Sequence, residues 1–158
     1  MADAQKALTR TLGLAGGLLL ASCTSGPQAG WLFKTAREAA LPGPIAVWGY
    51  PETTADLGFG CRNDDNVAFW LGSEAPLSSG KPVRFYAGTA TADLSETFVQ
   101  DGIGSSAFLI PAGSPLAAAI GSGATRLAWR LADGGRGSIA LGPAVRQLFS
   151  ACAAQSPR

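Results

Sequence analysis

The sequence predicts a mainly β fold: a single antiparallel β-sandwich or barrel-like domain with one short helix and a C-terminal amphipathic helix. Three observations carry this expectation. From Pro44 onwards, short runs rich in Val, Ile, Phe and Trp recur between clusters of Gly, Pro, Asn, Asp and Ser. Leu127, Trp129 and Leu131 alternate with Ala128 and Arg130, the period of a half-buried antiparallel strand. Only two stretches break the pattern, one opening at Ser114-Pro115-Leu116 and one at Pro143.

The strands are expected at 44–50, 57–62, 67–71, 83–87, 94–99, 107–110, 126–131 and 137–141. Residues 63–66 and 133–136 have the Asn, Asp and Gly content of hairpin loops. The stretch 31–40 stays open between a strand and a helical turn. Ser114 suits an N-cap with Pro115 at the first helical position, and the helix should stop near Gly121 or Gly123. From Pro143 to about Ala154, Val145, Leu148, Phe149 and Cys152 fall at i, i+3, i+4 and i+7. That apolar stripe needs a sheet to cover. No internal repeat is visible, and the 21 Gly are dispersed at turns.

Ahead of this domain, Lys6 and Arg10 precede an apolar run over 12–21 made only of Leu, Gly and Ala. Ten residues at 1.5 Å each reach about 15 Å, half of a roughly 30 Å hydrocarbon core, which argues against a membrane span. The run closes on Leu20-Ala21-Ser22-Cys23, which resembles the lipobox of bacterial lipoproteins. Asp3 departs from the usual n-region, and an ordinary signal peptide with an unmodified Cys is the rival reading. The resemblance implies a diacylglycerol on the Cys23 thiol, cleavage that makes Cys23 the first residue, and a further acyl chain (palmitate-like) on its amine. Residues 1–22 are then a signal peptide, 23–30 a linker and 31–158 one β-rich domain. Thr24 in place of Asp implies, again by resemblance, transfer to the outer membrane, facing the periplasm.

Composition narrows the chemistry. Of 12 Lys and Arg and 11 Asp and Glu, the signal removes Lys6, Arg10 and Asp3, leaving ten of each. A neutral domain argues against a dedicated nucleic-acid surface and against electrostatic attachment to a membrane. The chain has no His, which removes the commonest general base and metal ligand. With Cys23 assigned to lipid, only Cys61 and Cys152 remain, too few for a Cys/His zinc site. Leu57, Phe59 and Cys61 share one face of a strand, and Cys152 ends the helical stripe. Two such cysteines in an exported protein are expected to form a disulfide.

Local motifs that suggest catalysis are weak. Ser78-Ser79-Gly80-Lys81 has the Ser-x-x-Lys spacing of serine acyltransferases, but Pro76 and Pro82 and the Ser-Ser-Gly run favour a turn over the helix this chemistry needs. Asp64 and Asp65, with Asp56 and Asn63, offer oxygen ligands without the spacing of a calcium loop. Carboxylates such as Glu96 and Asp101 could in principle pair for glycoside hydrolysis, but any chain with ten carboxylates offers such pairs, so the signal is nearly worthless. The glycines of 101–106 lack the third glycine of a phosphate-binding turn and read as a tight bend before a buried strand. Trp31, Trp48, Trp70, Trp129, Tyr50 and Tyr86 are expected mainly in the core or at its edge, with one or two left for a surface patch.

The sequence therefore points to a cell-envelope lipoprotein that is not an enzyme and acts as a binding or scaffolding module. No cofactor and no metal are expected. Its partners are the membrane, through the lipid anchor, and envelope proteins or glycans. Residues 44–152 are loosely similar to small secreted proteobacterial β-sandwich domains with one Cys on an early strand and another near the C-terminus. Two alternatives stand beside this reading. One is a His-independent enzyme using carboxylates or Ser and Lys. The other is an accessory subunit of an envelope or secretion complex, docking through an apolar patch at Tyr50, Tyr86 or Trp31.

Overall fold

The computed structural model describes residues 30–39, 42–49, 56–62, 64–100 and 104–155. Among the described residues ten strands form two antiparallel sheets. The larger has the order β1 (Gly30–Lys34), β2 (Ile45–Gly49), β3 (Leu57–Cys61), β4 (Asn66–Gly72), β8 (Ser105–Pro111) and β7 (Glu96–Val99). The smaller has the order β10 (Arg136–Ala140), β9 (Arg126–Arg130), β5 (Val83–Ala87) and β6 (Ala90–Leu94). Neither sheet closes on itself, so the architecture is a sandwich and not a barrel. Three helices accompany the sheets: α1 (Ala36–Ala39), α2 (Pro115–Ser122) and α3 (Pro143–Gln155).

The inner faces of the two sheets meet through aromatic rings. Phe69 and Phe108 of the larger sheet pack on Phe85 of the smaller at 5.9 and 4.9 Å between ring centroids. Trp129 closes on the same cluster, 6.0 Å from Phe69. Where the smaller sheet ends, α3 covers the inner face of β1 to β4 with the buried stripe Val145, Leu148, Phe149 and Cys152. A single disulfide joins this stripe to β3, with the Cα atoms of Cys61 and Cys152 at 5.4 Å. The expected pairing and its geometric reason, two apolar rows ending at one point, are both found.

Helix α2 starts as its sequence predicts. Ser114 is the N-cap and accepts a hydrogen bond from the Ala117 N–H at 3.2 Å, Pro115 holds the first position, and Gly123 ends the helix at φ 120°.

The structure changes four readings. The stretch expected as one strand over 94–99 is two strands in different sheets: Leu94 pairs with Val83, whereas Glu96 pairs with Phe108. Inward and outward side chains keep alternating through Ser95, so no local period marks the step between sheets. Strand β6 begins earlier, at Ala90, after a hairpin in which Gly88 supplies φ 59°. Its small residues gave little hydrophobic signal. The stretch 31–40 holds both expected alternatives, a strand and then the short α1. Gly30 belongs to β1 and not to the linker, and Asn66 and Arg136 open strands and are not loop residues.

Candidate functional site

The two outer faces of the sandwich differ sharply in chemistry, and register defines both. On the larger sheet, Leu32, Val47, Gly58, Trp70, Ala107 and Thr97 stand opposite one another in a row across all six strands. The next row is Lys34, Ile45, Gly60, Ala68 and Leu109. Lys34, at the edge strand, is the only charge in either row. Trp70 lies against β3 because β3 carries glycines there: a Cβ at Gly58 would stand 2.4 Å from the indole, and one at Gly60 3.3 Å. Beside the indole is a groove of about 480 Å³ whose walls include Ile45, Gly60, Ala68 and Trp70. Arg62 and Asp64 close one end as an ion pair at 3.2 Å. Leu109 and Val99 leave 38% and 47% of their surfaces exposed on this face.

The outer face of the smaller sheet is basic. Arg136, Arg130 and Arg84 stand opposite one another on β10, β9 and β5, and Asp93 on β6 completes the row. Arg84 grips Asp93 through two hydrogen bonds of 2.7 Å, which raise the arginine pKa and lower that of the carboxyl. Arg126, four residues from Arg130 at the other end of β9, donates to the Ser138 hydroxyl at 2.9 Å. Among the described residues no carboxylate lies within ion-pair distance of Arg126, Arg130 or Arg136. Together with Tyr86 and Ser138 these three arginines line a hollow of about 590 Å³. Net neutrality concealed this segregation.

Glu96, which the sequence offered only as one of many carboxylates able to pair, is engaged by groups of its own surroundings. Leu77 and Ser78 donate their N–H groups to its two oxygens at 2.7 and 2.6 Å, and the Ser106 hydroxyl donates as well. Burial pushes its pKa upward, but the Ser106 and Ser78 hydroxyls and the two N–H groups outweigh this and hold it below the ordinary value. Leu77 and Ser78 lie on the crossing from β4 to β5, and Glu96 follows the crossing from β6 to β7. One carboxylate thus ties together two of the passages between the sheets. Asp101 lies outside the described residues, and its distance from Glu96 with it.

The other motifs are dispersed. Ser78 is buried, its hydroxyl beside Glu96 without a hydrogen bond of good geometry, and Lys81 is exposed. The segment between them is irregular, so the helical turn that Ser-x-x-Lys chemistry needs is absent there. Asp56, Asp64 and Asp65 are exposed, Asn63 lies outside the described residues, and Asp64 is engaged by Arg62. Among the described residues no three Cys, Asp or Glu side chains gather closely enough to hold a metal ion. Gly104 is packed against Phe98 and the Ser73 carbonyl, a close approach before β8. Trp31 and Trp129 pack on the core, Trp48 is 39% exposed, and Trp70 and Tyr86 sit on opposite outer faces. Tyr86 stands among arginines and not in an apolar patch; Tyr50 lies outside the described residues. So do Cys23 and the whole of 1–29.

Sequence reasoning missed both faces. The only local signals were Gly58 and Gly60 two apart before Trp70, and the recurrence of Arg at 126, 130 and 136. No protein-family model, no curated protein and no solved structure matches the chain.

Proposed function

We propose that the chain is a cell-envelope lipoprotein, anchored through Cys23. Its domain binds an envelope protein on the outer face of the larger sheet. The observation that carries this reading is the uncharged row from Leu32 to Thr97 across six strands, with Val47 buried, Trp70 half-buried at its centre, and Leu109 and Val99 exposed on the same face. A solvated antiparallel sheet ordinarily presents polar side chains outward, whereas the core of a protein interface is depleted in charge and enriched in aromatic residues. A protein suits the face better than a glycan. The polar pair nearest the indole, Arg62 and Asp64, satisfies itself.

Binding is preferred to catalysis by a carboxylate because Glu96 already accepts three hydrogen bonds. Its depressed pKa is opposite to what a general acid requires. The test is photo-crosslinking in intact envelopes, with a photoreactive residue placed at Leu109 or, as the reference, at Thr91 on the opposite face. A discrete protein adduct from Leu109, absent from Thr91 and lost with Trp70→Ala, is expected. Adducts of equal yield from both positions, or only glycan at Leu109, would overturn the proposal.

A further inference from the structure

The smaller sheet carries a feature that folding alone does not favour. Like charges directly opposite each other across strands are destabilising, yet Arg136, Arg130 and Arg84 occupy three successive positions of one row. Asp93 neutralises only Arg84. Lys81 and Arg130 border a second hollow on the same side, beside Arg84 and Tyr86. Four arginines and Lys81 thus share this side of the sheet with one carboxylate of the row, Asp93. The nearest carboxylate on the β9–β10 hairpin, Asp133, accepts from the Gly135 N–H. Guanidinium forks are matched in shape and charge to phosphoryl oxygens. Set along one row of the sheet around a hollow on its surface, they suit phosphates in one plane.

The point where the chain enters the fold is compatible with the plane of its own membrane. Trp31 donates its indole N–H to the Ala140 carbonyl at 2.7 Å, and Ala140 stands opposite Arg126. The start of β1 thus adjoins the corner of the arginine face. Residues 24–30 extend to about 25 Å at most. From Ala140 to Arg136 is about 14 Å along β10, and from β10 to β5 is about 10 Å across the sheet. A lipid at Cys23 keeps the whole row within reach of its own membrane.

We propose that the arginine face of the smaller sheet lies on anionic phospholipid headgroups of the membrane holding the Cys23 acyl chains, an inference that rests on the anchor proposed above. The larger sheet's apolar face then points away from the membrane, toward a partner. A surface-bound arginine on anionic lipid gains about fivefold in occupancy, and high salt removes the gain.

The test uses the full chain processed in a bacterial host and reconstituted into vesicles, either of neutral phosphatidylcholine or of the same lipid with phosphatidylglycerol. Arginine modification by phenylglyoxal is read residue by residue by mass spectrometry. Arg130 and Arg136 should react at least about fivefold more slowly on anionic vesicles. Arg37 and Arg62 should react alike on both, and the Arg130→Gln, Arg136→Gln double variant should lose the protection of Arg126. Co-flotation with neutral vesicles reports the anchor alone. An anchored protein whose arginines react equally on both vesicles overturns the face assignment and leaves the anchor standing. A protein that fails to float with neutral vesicles defeats the anchor and, with it, this inference. Protection by inorganic phosphate or by an oligonucleotide, without protection by anionic vesicles, assigns the face to a soluble anion and overturns the proposal.

Discussion

Arg136 stands directly across from Arg130 on the neighbouring strand, with no carboxylate between them. The pair opposes folding through Coulomb repulsion, weakened by water because both side chains are exposed. Arg130→Gln is therefore expected to stabilise the isolated domain by a few tenths of a kcal/mol at low ionic strength. Urea denaturation at two salt concentrations checks this. The gain should shrink as salt rises, and a loss of stability at low salt would mean that Arg130 serves the fold.

The Cys61–Cys152 bridge closes a loop with a sequence separation of 91 residues. In the chain-entropy model its removal costs about 4–5 kcal/mol, an upper figure because denatured chains retain structure. The Cys61→Ser, Cys152→Ser double variant should lose most of that in chemical denaturation. Reductant should destabilise the parent protein and leave the variant unchanged.

Glu96 makes stability depend on acid. Its native pKa lies below the ordinary glutamate value of 4.5, so its contribution is complete above that value. The contribution is lost as pH falls from 4.5 through the native value. Glu96→Gln should cost about 1 kcal/mol at neutral pH, allowing for solvent screening, and should flatten the stability profile below pH 4.5. Hydrogen exchange at Leu77 and Ser78 should quicken in the variant. An unchanged acid profile would mean that other carboxylates carry the effect.

Trp70 and Gly58 form a matched pair. Gly58→Ala places a methyl where the indole lies and should cost about 1–3 kcal/mol, with a shift in tryptophan emission as Trp70 leaves its seat. In a double-mutant cycle, Trp70→Ala should recover part of the loss. Strict additivity would show that the two residues do not share the site.

The elements were more legible than the site, for a physical reason. The Ser114-Pro115 helix start and the Val145–Cys152 stripe are local patterns, and each appears in the structure where the sequence places it, whereas strand periodicity located most strands but not the division between β6 and β7. The step at Ser95 was hidden because alternation survives a change of sheet. The arginine row was hidden because Arg84 and Arg130 are far apart in the chain and meet only through register. Formal neutrality sums charge over the whole surface and erases its separation onto one face. The role of Glu96 was hidden because two of its partners are backbone N–H groups, which carry no side-chain signature.

The central claim is a binding domain held at a membrane through Cys23. The mass and amino terminus of the mature protein, taken from the membrane of a bacterial host that expresses the chain, test it most directly. The account predicts a chain that begins at Cys23, with diacylglycerol on the thiol and an acyl chain on the amine. A mature chain that begins elsewhere, or one that carries an unmodified Cys23, would contradict it.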